Sequence, residues 1–165
     1  MKYGYFPGCS QTGSAKEYDI SLRKVIEKLG TSLDEIKDWS CCGATSAHAT
    51  NHKLSTALAM RNIMLAEQQG MENIIAPCAA CYNRLIMSQF ETANHPGIKK
   101  ETEELLSAKF KKDVKVFNVL ELFLKIGIDR ISENRKRELS DLKVACYYGC
   151  LLVRPAAITK FDDAE

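Results

Sequence analysis

Glycine and proline are scarce, nine and four among 165 residues. That excludes a collagenous or low-complexity chain. An excess of charge of one sign is also missing. The 23 lysines and arginines face 21 aspartates and glutamates, for a formal net charge of +2. So close a balance gives no support to a nucleic-acid partner or an anionic membrane surface. No apolar run approaches the ~18 residues of a membrane-crossing helix, so no transmembrane segment is expected. The start, Met1-Lys2-Tyr3-Gly4-Tyr5-Phe6-Pro7-Gly8-Cys9, has no apolar h-region or cleavage site, so it does not read as a signal peptide. A cytoplasmic location is the expectation. With 45% hydrophobic residues, a chain of this length buries roughly 70% of its unfolded surface and needs no covalent staples.

What is present is cysteine, seven in all. The number is odd, the chain is not small and an export signal is missing. Structural disulfides are therefore disfavoured, and metal or redox chemistry becomes the first reading of these thiols.

Hydrophobic periodicity predicts alternating strands and helices. Residues 2–6 read as a strand broken by Pro7-Gly8, with Cys9 in the turn. Ser14 is a candidate N-cap with Glu17 completing a capping box, opening a helix that runs to Leu29 and stops at Gly30. Residues 32–39 suggest a second strand before the Cys41-Cys42-Gly43 turn. Asn51 to Gln69 reads as a helix ended by Gly70, and 73–76 as a buried strand ended by Pro77. Helices are expected from Cys78 to Thr92, over 98–110 and from Val119 to Ile126, with strands at 115–117 and 142–147. The charged stretch 129–141, with Arg135-Lys136-Arg137, reads as a solvated helix or linker, or as a docking patch for an acidic partner.

This alternation implies an α/β fold: a mainly parallel sheet flanked by helices. Sites in such sheets form beyond the carboxyl ends of the strands. Cys9, the Cys41-Cys42 pair, and Cys78 with Cys81 each follow a predicted strand. If those strands are parallel neighbours, five thiols share the carboxyl edge. Soft thiolates select iron–sulfur clusters, zinc or cuprous copper. A structural zinc or a cubane cluster takes four ligands. Five candidates exceed either need by one, which favours a multinuclear centre, or four ligands and a free thiol. A thiol–disulfide exchange site is a further reading, because Pro77-Cys78-Ala79-Ala80-Cys81 before a helix resembles the thioredoxin arrangement. That reading leaves Cys41-Cys42 without a role.

The start of the chain recurs near its end. Residues 2–9 align with 143–150, matching a lysine, an aromatic before the turn, a glycine and a cysteine. Cys150 then corresponds to Cys9 in a repeat of which only the beginning is present, while Cys146 aligns with Tyr5 and reads as a core thiol.

Tyr5-Phe6-Pro7-Gly8-Cys9, Cys41-Cys42-Gly43 and Pro77-Cys78-Ala79-Ala80-Cys81 together resemble the cysteine-rich CCG-domain proteins, most closely the B subunits of heterodisulfide reductases. The resemblance covers the whole chain at about the first half of such a protein. It partitions the chain into a first CCG domain (1–128), a charged linker or helix (129–141) and the start of a second, incomplete repeat (142–165). It implies a non-cubane [4Fe–4S] cluster ligated by Cys9, Cys41, Cys42, Cys78 and Cys81, with Cys150 a ligand only where a second half exists. It also implies reduction of a coenzyme M–coenzyme B type disulfide by one-electron steps, with partner subunits A and C, or equivalent iron–sulfur or flavin proteins, supplying electrons. The alternative is a structural zinc or Fe–S docking module of another CCG-type complex, of lactate, glycolate or glycerol-3-phosphate oxidation.

Outside the cysteines the signals are individually weak. His48 and His52 follow the pair at helical spacing, and His48 is a candidate proton donor to a leaving thiolate. A polar surface role is the simpler reading. His95 has no functional case. Lys16, Arg23 and Arg84 are candidates for contacting anionic substrate groups, against the reading of solvated charge. Trp39 is a core anchor or a shield for a cluster. Met60, Met64 and Met71 read as packing residues.

Overall fold

A computed structural model describes residues 2–110, 114–138, 140–146 and 149–159. The chain runs β1 (Lys2–Tyr5), α1 (Gly8–Thr12), α2 (Lys16–Lys28), β2 (Ser32–Glu35), α3 (Ser46–Thr50), α4 (His52–Gln68) and β3 (Asn73–Ile75). It continues through α5 (Ala79–Asn94), α6 (Pro96–Leu106), β4 (Lys115–Phe117), α7 (Val119–Ile126), α8 (Ile128–Glu133), α9 (Cys150–Val153) and α10 (Ala156–Thr159).

The four strands form one sheet in the order β2-β1-β3-β4, all pairs parallel. This is the expected α/β fold. The chain steps from β1 to one side, then crosses back to the other, so the topological switch point lies between β1 and β3. Right-handed crossovers place the connecting helices on opposite faces when the direction of travel reverses.

The period of two along each strand divides the core accordingly. Tyr3, Tyr5 and Ile75 pack with Leu22 and Ile26 of α2 and Leu122 and Ile126 of α7. Phe6 and Ile74 pack with Met60 and Ile63 of α4 and Tyr82 and Leu85 of α5. β1 and β3 are covered on both sides, which explains why β3 reads as an unbroken apolar run.

Local signals explain most boundaries. Asn51 caps α4, its side chain accepting from Leu54 N–H at 3.0 Å. Asn118 caps α7 in a reciprocal box: its Oδ1 accepts from Glu121 N–H at 3.0 Å, and Glu121 Oε2 accepts from Asn118 N–H at 2.8 Å. Asn118 is 1% exposed and joins β4 directly to α7. Asn118→Ala is expected to lower stability by about 1–2 kcal/mol. Thermal denaturation followed by circular dichroism should show a drop of roughly 2–6 °C.

Several expectations are corrected. Ser14 does not cap α2: the N-cap is Ala15, without a side-chain bond. Residues 8–12 coil into α1, and Ala15 N–H donates to Ser10 C=O at 2.8 Å, so a backbone turn starts α2. Cys9 lies inside α1 rather than in an open turn. The second strand stops at Glu35, because the chain turns at Asp38 with φ +60°. Pro96 ends α5 but is also the first residue of α6, where its missing N–H costs nothing.

The strand expected at 142–147 is not formed over 142–146, whose residues are irregular and exposed. Tyr147 lies outside the described residues. Among the described strands the sheet ends at β4, and an unpaired strand has no ladder to hold it. Cys146 is consequently exposed rather than a core thiol. The charged stretch forms α8 and then an irregular, exposed segment in which Arg135 pairs with Glu138 at 2.9 Å. No described helix is long and apolar enough to cross a membrane.

Candidate functional site

β2, β1 and β3 are adjacent and parallel. The segments carrying Cys41-Cys42, Cys9, and Cys78 with Cys81 follow those three strands in the chain. Cys9 rides on α1 immediately after Gly8, whose φ is +68°. A Cβ built at Gly8 would lie 2.8 Å from Cys81 Sγ. Glycine there satisfies both a left-handed backbone and the close approach of a sulfur.

The Cys41-Cys42 segment lies along α4. The buried Asn62 side chain accepts from Ser40 N–H at 2.8 Å and donates to Ser40 C=O at 3.0 Å. Gln69 does the same for Lys37, at 2.8 and 3.1 Å. Arg61 donates to Asp38 C=O at 2.7 Å. Gly43, with φ +79°, sits so close to α4 that a Cβ would meet Ser55 Cα and O at 3.1 Å. Trp39 packs its edge on Phe6 at 5.6 Å between centroids and donates from its indole to Glu35 at 3.0 Å. It is half-buried against the core, consistent with an anchor.

Cys78 is the N-cap of α5 and Cys81 lies in its first turn. Cys42 Sγ and Cys81 Sγ are 3.3 Å apart, and both residues are buried, at 3% and 2% exposure. Cys78 Sγ is 3.8 Å from Ser10 Oγ. The hydrogen bond from Cys81 holds the Cys78 thiol down at about 5, with further help from the Cys81 N–H, the Ser10 hydroxyl and the Ala80 N–H. Cys42 is lowered to about 7, first by its hydrogen bond with Cys81. Cys81 is pushed far up by the same two sulfur contacts and by burial. Cys81 has a single proton to donate, so its thiol supports a thiolate at Cys42 or at Cys78, one at a time.

Cys9 and Cys41 are exposed, and Cys41 Sγ accepts from Gly43 N–H at 3.4 Å. Among the described residues, no three His, Cys, Asp or Glu side chains are gathered around one metal-ion position. The sulfurs are drawn together pairwise about Cys81. A donor set of soft thiolates, two of them lowered, suits a thiophilic centre. Ser40 Oγ and Ser55 Oγ, beside the cysteine pair, are buried without a hydrogen-bond partner among the described residues. That leaves two hydroxyls available to the sulfurs of a bound group. Cys150 begins α9.

His48 is exposed, and its Nδ1 accepts from Arg84 Nη1 at 3.1 Å. Arg84 is not solvated: it is 6% exposed and also meets Ser88 and Glu91. Arg23 is engaged by Asp19 at 2.9 Å and Glu35 at 2.7 Å, and stacks 4.2 Å over the Tyr5 ring. Of the three basic candidates, only Lys16 is exposed at a helix start. His52 pairs with Glu91 at 3.2 Å. Met60 is a core residue, and Met64 and Met71 are half-buried.

Sequence reasoning missed Asn62, Gln69 and Ser10. Asn62 had a signal: it is a lone amide on the face of α4 that carries Ala59, Met60, Ile63 and Ala66.

The chain is 28% identical over 166 residues to the 8-methylmenaquinol:fumarate reductase membrane anchor subunit of Wolinella succinogenes, covering 99% of this chain and 57% of that protein. It is 26% identical to a protein of Archaeoglobus profundus named as like the B subunit of heterodisulfide reductase, covering 100% and 56%. It is 28% identical to the B subunit of the ferredoxin/F(420)H(2)-dependent CoB-CoM heterodisulfide reductase of Methanosarcina acetivorans, covering 99% and 56%. The chain thus spans little more than half the length of the curated relatives it matches. The family model for the cysteine-rich domain, CCG, matches residues 3–86, a span that starts in β1, ends in α5 and contains Cys9, Cys41, Cys42, Cys78 and Cys81; the chain belongs to that family.

Proposed function

We propose that this chain is the cluster-bearing portion of an iron–sulfur oxidoreductase subunit of the heterodisulfide-reductase type. Cys9, Cys41, Cys42, Cys78 and Cys81 would hold a non-cubane [4Fe–4S] cluster. Bound there, the cluster supplies one-electron chemistry and a thiophilic iron to a substrate disulfide of the coenzyme M–coenzyme B type. Reduction consumes two electrons and two protons and releases two thiols. The observation that supports the reading is the contact of Cys81 with Cys42, 3.3 Å between sulfurs, and with Cys78, in segments that follow adjacent parallel strands.

The chain's own residues have definable tasks in this reading. Gly8 leaves room for the Cys81 sulfur. His48 accepts at Nδ1 from Arg84, which has no lone pair to accept with. Neutral His48 therefore keeps its proton on Nε2, the atom it would offer to a product thiolate. An apolar cavity of about 320 Å³, lined by Tyr18, Leu22, Val25, Pro77 and Phe123 among others, adjoins the Cys78 turn and suits an aliphatic arm of the substrate. Electrons would come from partner subunits of the A and C type.

The relative named as a menaquinol:fumarate reductase subunit is as similar as one of the heterodisulfide relatives. It favours a second reading: a zinc or Fe–S docking module of a different CCG-type oxidoreductase complex. Anaerobic reconstitution with iron and sulfide, followed by metal and sulfide assays, separates the catalytic reading from the zinc form of the second, and disulfide reductase activity of the loaded protein separates it from the Fe–S form. About four irons and four sulfides per chain are expected. One zinc with no visible chromophore would overturn the catalytic reading.

A further inference from the structure

We infer that Asn62 and Gln69 are positioning residues for the Cys41-Cys42 pair, fixing the register of residues 37–43 on α4. The inference rests on the proposed role of that pair as ligands. β2 ends at Glu35, and only Ile36 N–H extends the ladder, to Tyr5 C=O at 3.0 Å. Beyond that point the sheet gives no support to the chain that carries the pair. The support comes from side chains instead. Gln69 satisfies both backbone groups of Lys37, and Asn62 satisfies both of Ser40, the residue before Cys41.

Each amide reads one donor and one acceptor on the same residue, as a neighbouring strand would. A shift of the segment by one residue breaks both bonds of each pair. Asn62 is specified further: it is fully buried, and its amide nitrogen also donates to Leu58 C=O at 3.0 Å, so its orientation is set by its own helix. The two amides are seven residues apart along the helix, about two turns, and so lie on one face. They clamp the segment upstream of the pair, while Gly43 against Ser55 fixes it downstream.

The test reads cysteine accessibility in the folded, metal-free chain. Wild type, Asn62→Leu, Gln69→Ala and Ile63→Val are pulsed with iodoacetamide, and the rate at each cysteine is read by peptide mass spectrometry. Ile63→Val is a core deletion on the same helix, in the cluster that also holds Cys42 and Trp39, and it lowers stability without removing a hydrogen bond to the segment. In Asn62→Leu the buried Cys42 is expected to react on the order of tenfold faster, because the backbone bonds that hold its segment closed are lost. In Gln69→Ala the rise should be on the order of threefold. Cys78 should keep its wild-type rate in both.

Equal protection of Cys42 in wild type and a folded Asn62→Leu overturns the inference. So does an equal rise in Ile63→Val. If Asn62→Leu does not fold, Gln69→Ala decides: its side chain is exposed, and no change at Cys42 overturns the inference. Failure of every protein, wild type included, to take up iron and sulfide would instead count against the ligand assignment and leave the labelling result intact.

Discussion

Cys81→Ser is expected to remove most of the iron-binding capacity, leaving on the order of one tenth of the wild-type iron after reconstitution. The reason lies in where this sulfur sits. Cys81 is 2% exposed and touches both Cys42, at 3.3 Å, and Cys78. A serine there replaces the central sulfur with a hard, protonated oxygen that is a poor partner for iron. Cys146→Ser is the matched control, because Cys146 is exposed in an irregular segment, and it should bind iron like the wild type. Iron and sulfide assays check both, with circular dichroism to establish that the variants are folded. Full iron content in Cys81→Ser would remove Cys81 from the ligand set. Full content in Cys9→Ser and Cys41→Ser as well would reduce the assignment to a simpler site.

The second large effect is expected at Gly43. Its φ of +79° lies in the region that disfavours any side chain, and a Cβ there would press on the backbone of Ser55 at 3.1 Å. Helix backbone cannot step aside as the end of a flexible side chain can. Gly43→Ala should therefore cost about 2–3 kcal/mol and lower the melting temperature by roughly 5–10 °C. Gly97→Ala provides the contrast: it lies in α6 with open space around its Cβ position, and it should be neutral or stabilising by up to about 1 kcal/mol. Equal melting temperatures for Gly43→Ala and wild type would mean that the Cys41-Cys42 segment does not need its observed approach to α4.

These two positions also indicate what could be read without coordinates. The alternation of strands and helices was legible because each long helix carries an apolar stripe and β3 an unbroken apolar run. The parallel order β2-β1-β3 then sets three strands side by side, each followed in the chain by one of the cysteine motifs. The clamp on residues 37–43 was harder to see, because an amide on a buried helix face does not announce which backbone it reads. Ser14 and residues 142–146 misled for opposite reasons. At Ser14 a capping pattern was present, but α1 supplied a backbone turn that made it redundant. At 142–146 the pattern of a strand was present, but a strand is defined by its neighbour, and pattern alone does not supply one. Arg23 and Arg84 read as candidate contacts for an anionic substrate or as solvated charge, whereas the fold enlists one over Tyr5 and buries the other against Glu91. Both depend on helix geometry and strand order bringing partners together, which composition does not record.

The central location of β1 carries a consequence for synthesis. β1 is translated before β2 and β3, which flank it, so its second neighbour is not available until residues 73–75 have been translated. Cys81 follows later still, and the edge strand β4 only at 115–117. Until then the nascent thiols belong to separate loops, with closure entropy still to be overcome. Metallation at the proposed ligands therefore cannot be complete until Cys81, about halfway along the described chain, has been translated.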